Sequence, residues 1–302
     1  MKLYIIGSKG WIGKKYINLC KQEGIEYITS EFRATTDDLL QDIVKRDPSH
    51  VISCIGRTHG IRNGKKYSTI DYLEHDDKLS ENINDNLFAP LSLAMFCQTI
   101  GIHFTYIGTG CIFNYDNNHL LNESSIQGEG YKEIDDPNFI GSKYSLVKGY
   151  TDKLMKFTNA LVLRIRMPIT DEIHPRNFIT KITSYEKICS IPNSMSVLNN
   201  LLPISLQMMK DKVDGTFNFT NPGVISHNEI LEMYKDIVDK NFKWNNFTIE
   251  EQSQILLGGR SNNYLDTNKL ESMYKVKPIK EAVMDVLTTM KNNKKLIYNL
   301  KL

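Results

Sequence analysis

Two residue pairs in this chain have types and spacings that could do chemistry. Tyr144 and Lys148 stand four apart, and on a helix that spacing puts a phenol and an ammonium on one face. Thr109 and Cys111 stand two apart, and in extended backbone that spacing points a hydroxyl and a thiol the same way. Gly108 and Gly110 between and before them leave the backbone open to close approach. A phenol beside an ammonium suits proton donation to a carbonyl, with Thr109 donating a second hydrogen bond to the developing oxyanion. Neither pair is diagnostic alone, since a Tyr and a Lys four apart arise by chance about once in a chain of this composition and a lone Cys is more often an inert core residue. Their setting carries the weight.

That setting begins at the N-terminus. The apolar run 2–6 leads into Gly7-Ser8-Lys9-Gly10-Trp11-Ile12-Gly13 and then a helical pattern to about Gln22. Strand, glycine turn and helix in that order form a dinucleotide cradle, with Gly7, Gly10, Trp11, Ile12 and Gly13 lining the pyrophosphate at the helix N-terminus. A second strand at about 25–29 leads to Glu31 and Arg33. An acidic residue there reads the ribose hydroxyl of NAD, and an Arg reads the phosphate of NADP. Both types are present, so the expectation leans to NADPH on Arg33 and leaves NADH open. The run 50–56 reads as a third strand with Cys54, Ile55 and Gly56 at its carboxyl end, the edge that lines a cofactor in such sheets.

Residues 57–68 are polar and read as irregular. A helix is expected over 86–99, disturbed by Pro90, followed by the strand 102–107 that delivers Thr109 and Cys111. A long loop to about 139 has the length of a lid or binding loop, and the helix from about Ser142 carries Tyr144 and Lys148. Lowering a phenol from its usual value near 10 toward 7 takes roughly 4 kcal/mol; Lys148 and an oxidised nicotinamide would supply part of that.

Past the strand 161–166 the pattern changes. Pro175 opens a helix that places Asn177 and Lys181 on one face. Helices over 201–210, 228–239 and 279–290 and a strand over 215–219 complete the chain. The fold class is therefore α/β: a doubly wound parallel Rossmann sheet over 1–168, with a smaller substrate-binding α/β domain over 169–302, some of whose elements return to the first.

Composition removes other classes. Lys+Arg 37 against Asp+Glu 35 leaves a net charge of +2, without the basic stripe a nucleic-acid partner requires. No apolar run is long enough to span a bilayer, and the N-terminal apolar segment is too short for a signal peptide, so a cytoplasmic protein is expected. The five cysteines are odd in number and scattered without a CxxC pair, which supports neither a disulfide framework nor a zinc site. In a cytoplasmic chain the Asn-x-Ser/Thr triplets at Asn122, Asn218 and Asn246 are chance matches.

Taken together, Gly7 to Gly13, Thr109 and Tyr144/Lys148 resemble the extended short-chain dehydrogenase/reductases, and closer still the sugar-nucleotide reductases that make deoxyhexoses. Within these, Gly10-Trp11-Ile12-Gly13, Thr109-Gly110-Cys111-Ile112-Phe113, Arg164-Ile165-Arg166-Met167-Pro168-Ile169, 176–182 and Ile191-Pro192-Asn193-Ser194-Met195 look like the bifunctional nucleotide-rhamnose synthase/epimerase-reductase. So do 219–223 and Arg260-Ser261-Asn262-Asn263. That enzyme also forms the C-terminal part of plant rhamnose synthases and has counterparts in giant viruses. The similarity runs nearly end to end, departing mainly at 57–77 and in the C-terminal tail.

The resemblance implies 3,5-epimerisation and NADPH-dependent 4-keto reduction of UDP-4-keto-6-deoxy-glucose, or its dTDP counterpart, to the nucleotide L-rhamnose. It makes Cys111 and Lys181 the epimerase acid/base pair, and Thr109, Tyr144 and Lys148 the reductase set. Asn177, Arg260 and Asn262 become nucleotide-sugar contacts, and a homodimer the expected assembly. Two rivals stand beside it: a monofunctional dTDP-4-dehydrorhamnose-type reductase, and a non-enzymatic NADP-binding partner like the regulatory subunit of methionine adenosyltransferase.

Overall fold

A computed structural model describes residues 1–122 and 125–299; the Asn122 triplet runs into residues 123 and 124, outside that description. Six strands form one parallel sheet: β1 (Lys2–Ile6), β2 (Glu26–Thr29), β3 (His50–Ser53), β4 (His103–Thr109), β5 (Leu161–Ile165) and β6 (Gly215–Asn218), ordered β6-β5-β4-β3-β1-β2. β1 pairs with β2 on one side, Lys2 against Glu26, and with β3 on the other, Leu3 against His50. The chain therefore reverses direction across the sheet between β1 and β3, where such folds open a crevice at the carboxyl ends of the strands.

The near-continuous apolar strands reflect a sheet covered on both faces. Leu3, Ile5, Ile52, Ile107, Leu161 and Leu163 pack on one side; Tyr4, Ile6, Val51, Phe104, Tyr106 and Val162 pack on the other. The covering helices include α1 (Trp11–Gln22), α2 (Asp37–Arg46), α3 (Ala89–Thr99) and α4 (Lys143–Met155). Ser142 caps α4 by accepting the Ser145 N–H at 3.0 Å, which sets the register that brings Tyr144 and Lys148 inward.

A second core gathers Ile169, Ile179, Ile182, Met195, Ile225, Ile230, Val283 and Leu287. It joins the short helix α5 (Phe178–Ile182), α7 (His227–Ile237) and α8 (Ile279–Asn299). Between these, α6 (Leu198–Lys210) and β6 return to the first core.

Two local readings change. Residues 57–68 are not irregular: Gly60–Arg62 and Lys65–Tyr67 pair as an antiparallel hairpin. Its two-residue turn, Asn63-Gly64, has both residues at positive φ, 49° and 75°, the Asn-Gly geometry that matches strand twist. The expected kink at Pro90 becomes a π-helical turn over Asn84–Phe88, leaving Pro90 in the first turn of α3, where its missing N–H costs little.

Candidate active site

The glycine turn sits at the carboxyl end of β1. Gly7 has φ +79°, and a Cβ there would lie 3.1 Å from Ile55 Cγ2 and 3.2 Å from the Cys54 carbonyl carbon. At Gly13 a Cβ would meet the Gly7 carbonyl oxygen at 2.3 Å, so no side chain fits. Gly10 is the α1 N-cap, with no side-chain cap and no acidic residue in the first turn. The N-terminal N–H groups of α1 thus face the crevice without a side-chain acceptor, which fits a bound diphosphate. Cys54 and Ile55 lie half-buried behind Gly7, with Gly56 exposed.

At the ribose end, Glu31 is ion-paired to Lys9 of the glycine turn at 2.6 Å, and Arg33 is exposed beside it. Trp11 stacks on His174 with ring centroids 5.1 Å apart, and its indole N–H donates to Glu172. Trp11 and Ile12 therefore tie the turn to the 170–177 segment and to the first core.

Thr109 ends β4 and is buried; its Oγ1 accepts the Cys111 N–H at 3.1 Å. Tyr144 is buried in the first turn of α4, within one small cluster with Tyr72, Leu73 and Cys111. Burial pushes the Tyr144 phenol up, the Cys111 thiol adds to this, and a hydrogen bond with Thr109 works against it. Lys148 does not bond to the phenol: its ammonium donates to Tyr106 of β4 and lies 4.6 Å over that ring. The expected lowering of Tyr144 by Lys148 is therefore not what this geometry produces. Burial brings Lys148 down to about 8, while Asp152 and Cys111 pull it back up. Asp152 stands one turn further along the same face of α4.

Lys181 lies on α5, half-buried, with its pKa lowered first by burial and then by the Arg176 and Arg260 charges. Arg176 donates to Thr58 Oγ1 at 3.0 Å. His59 is held down to about 4 by burial and by Arg176, Arg57 and Lys181, so it stays neutral near pH 7. Arg260 donates to Asp71 at 2.7 Å, and the same carboxylate accepts the Leu257 and Gly258 N–H groups at 3.1 and 3.2 Å.

Asn177 is placed differently from the expectation. It is fully buried at the N-cap of α5, its Oδ1 accepting from Thr170 and Ile179 and its Nδ2 donating to the Thr170 and Glu172 carbonyls. Its four hydrogen-bonding positions are filled, so it orients the helix that carries Lys181 and has none left for a sugar. Asn262 is half-buried, accepting from Asn193 Nδ2 at 2.9 Å and donating to the Arg260 carbonyl; it supports the Arg260 loop.

Several site residues escape sequence reading. Asp71 and Tyr72 come from the 57–78 segment: Tyr72 packs on Tyr144 and Cys111, and Asp71 holds Arg260. Asn86, in the π-helical turn, grips the Arg57 backbone through both its N–H and C=O at 2.9 Å, fixing the segment that leaves β3. The Asn63-Gly64 turn signalled an ordered hairpin there; nothing local signalled what it touches.

Because α5 brings Lys181 under two neighbouring cations, its titration is testable. Arg176→Gln removes one of them, so the pH at which Lys181 gives up its ammonium proton should rise. The alkaline-rising limb of any base-catalysed C–H exchange should then move to higher pH, read as deuterium wash-in against pH. An unmoved limb would rule Arg176 out as the cause.

A parallel sheet with a glycine turn at its switch point, and a buried Thr, Tyr and Lys set on β4 and α4, defines an extended short-chain dehydrogenase/reductase. The model of the RmlD substrate binding domain matches residues 1–199, and the chain belongs to that family. It is 49% identical to protein L780 of Acanthamoeba polyphaga mimivirus over 295 residues, 96% of this chain and 99% of the viral one. The crystal structure of that protein, described as a UDP-rhamnose synthase, superposes with a TM-score of 0.90 over the same shares. An Arabidopsis thaliana bifunctional dTDP-4-dehydrorhamnose 3,5-epimerase/dTDP-4-dehydrorhamnose reductase is 44% identical over 284 residues, 93% of this chain and 90% of the plant protein. The Bacillus anthracis dTDP-4-dehydrorhamnose reductase, solved with NADP, shares the fold with a TM-score of 0.73 at 19% identity, covering 95% of this chain and 99% of that one.

Proposed function

We propose that this protein converts UDP-4-keto-6-deoxy-glucose to UDP-L-rhamnose, inverting C3 and C5 and then reducing the C4 ketone with NADPH. The observation that carries the reading is the shared 70–74 turn: Tyr72 packs on Cys111 and Tyr144, while its neighbour Asp71 holds Arg260, whose charge acts on Lys181. That turn links the groups this reading assigns to reduction with those it assigns to epimerisation.

The C4 ketone acidifies the protons at C3 and C5. Inversion needs one group to remove a proton and another, on a different element, to return one to the opposite face. Cys111, beyond β4, and Lys181, on α5, meet that need. A Lys whose ammonium is destabilised by burial and two arginines is available as a neutral base closer to pH 7 than a solvated one. Thr109 and Tyr144 hydrogen-bond the C4 oxygen, first as the enolate and then as the developing alkoxide. The raised Tyr144 keeps its proton until that oxygen takes it.

Gly7, Gly10, Gly13 and the α1 N-terminus would hold the cofactor diphosphate, and Arg33 its 2′-phosphate; Glu31, already paired with Lys9, is less free to take a ribose hydroxyl. When bound, the nicotinamide cofactor supplies the hydride. Arg260 would turn from Asp71 to the sugar-nucleotide diphosphate, an anion that suits its bidentate fork. A homodimer and a cytoplasmic location go with this reading; no helix among the described residues is long and apolar enough to cross a membrane.

The test is an NMR spectrum of the product formed in D₂O from UDP-4-keto-6-deoxy-glucose and NADPH. Deuterium at both C3 and C5 with the L-rhamno configuration is expected. Reduction without deuterium would make the protein a plain ketoreductase, and no turnover would favour the non-enzymatic binder.

A further inference from the structure

One carboxylate ties the 70–74 turn to the loop 257–260. Asp71 Oδ1 accepts the Leu257 and Gly258 N–H groups at 3.1 and 3.2 Å, and its Oδ2 accepts from Thr69 Oγ1 at 2.6 Å and from Arg260 Nη2 at 2.7 Å. An ionised carboxylate offers about four acceptor positions, and the guanidinium fills one of them. The Asp71 and Arg260 side chains are 14% and 25% exposed, so the pair borders solvent. Burial would raise the Asp71 carboxyl, but the Arg260 and Thr69 hydrogen bonds hold it below its usual range. Asp71 is therefore an anion near neutral pH.

The backbone of the loop is fixed independently of the Arg260 side chain. The Gly259 N–H donates to the Gly141 carbonyl at 2.7 Å, the Asn262 N–H to Asn114 Oδ1 at 3.0 Å, and Asn262 Nδ2 to the Arg260 carbonyl at 3.2 Å. Gly258 lies so close to the 70–74 turn that a Cβ on it would meet Glu74 Cγ at 2.9 Å. If the guanidinium swings away, Asp71 keeps three donors and the loop keeps these anchors. Apart from Asp71, only the Gly258 carbonyl loses a partner, Arg260 Nη1 at 2.6 Å. Departure thus breaks one ion pair at the edge of solvent, where such a pair contributes little. The turn that receives Arg260 also carries Tyr72, which packs with Cys111 and Tyr144.

We propose that Asp71 sets the affinity for the nucleotide diphosphate: its carboxylate is the resting seat of Arg260 and holds the guanidinium until the diphosphate displaces it. The inference rests on the reading of Arg260 as a diphosphate contact. A diphosphate brings more negative charge than one carboxylate and engages the guanidinium bidentately, so the exchange runs toward the ligand, with Asp71 competing for the same cation. An asparagine at 71 would still accept the two loop N–H groups through Oδ1 and would end the competition. Thr69 acts with the opposite sign. Its hydroxyl continues to satisfy Oδ2 once Arg260 has left, so removing it makes the departure less favourable. Asp71 is in this sense a positioning residue that acts through Arg260.

The experiment is calorimetric titration of the full chain with UDP, with NADP⁺ present to occupy the glycine turn, in the wild type, Asp71→Asn, Thr69→Val, Arg260→Gln and the Asp71→Asn/Arg260→Gln double variant. Asp71→Asn should bind UDP about fivefold more tightly, the upper end for an ion pair open to solvent, and the gain should shrink as salt rises. Thr69→Val should bind UDP more weakly than the wild type. Most of the gain should be absent when the double variant is compared with Arg260→Gln. An Asp71 that merely holds the loop would leave Asp71→Asn binding UDP no better than the wild type, and that result overturns the inference, as does a gain of the same size without Arg260. Should Asp71→Asn fail to fold, Thr69→Val decides, and unchanged or tighter binding there overturns the inference. If instead Arg260→Gln leaves the affinity for UDP where it was, the reading of Arg260 itself fails, a result separable from the first because Asp71 is intact in that variant.

Discussion

Cys111→Ser is expected to abolish conversion of UDP-4-keto-6-deoxy-glucose to the L-rhamno product while sparing most of the reduction of a ketosugar already inverted at C3 and C5. Loss of a positioned acid/base group costs about 10²- to 10⁴-fold, and a serine hydroxyl is far too weak an acid to replace a thiol. In the proposed reading reduction depends on Thr109 and Tyr144, and serine is close enough in size to leave the cluster with Tyr72 and Leu73 packed. Lys181→Met, which keeps the length of the apolar stem, should show the same selectivity. The measurement is a pair of single-turnover rates, NADPH oxidation with each ketosugar, alongside deuterium wash-in. Equal loss of both activities would sink the division of labour between the two pairs.

Tyr144→Phe should do the converse. Reduction is expected to fall by about 10² to 10⁴, because the alkoxide loses its proton donor in a site where burial makes a substitute from water scarce. Exchange at C3 and C5 should persist at a reduced level, since Thr109 still donates to the enolate oxygen. The result would appear as deuterium entering unreduced substrate while NADPH consumption nearly stops. Retained reduction would remove Tyr144 from its role and move attention to Tyr106, the phenol that Lys148 actually touches.

The contacts of these groups differ from those of a simple phenol beside an ammonium. The spacing in the chain put Tyr144 and Lys148 on one face, and α4 does so. What it did not contain is the position of Tyr106 across from Lys148, or of Asp152 clamped to Arg164 one turn further on. Lys148 is bonded to the Tyr106 hydroxyl; burial lowers it to about 8, with the Asp152 and Cys111 charges opposing that fall. It remains largely charged near neutral pH without drawing down Tyr144.

Features written in short repeats were legible from the residues alone. Apolar runs placed the six strands, the glycine spacing placed the turn at the end of β1, and the spacing of four placed the phenol and amine. These are local: each residue's environment is set by neighbours within a turn of helix or a strand, where backbone geometry alone fixes which side chains share a face. Asn177 shows the limit of that rule. Pro175 signalled the start of α5, yet Asn177 is its cap and not a member of its face, a one-residue difference that turns a candidate ligand into a support.

The remaining contacts came from packing between distant segments. Asp71 meets Arg260 across 189 residues, and Arg166 meets Ser261 across 95. No period in the chain encodes such meetings. They arise because two cores fold against each other and buried polar groups must then find partners wherever the packing brings them, which is how Arg166 came to donate to the Gly110 carbonyl and to Ser261.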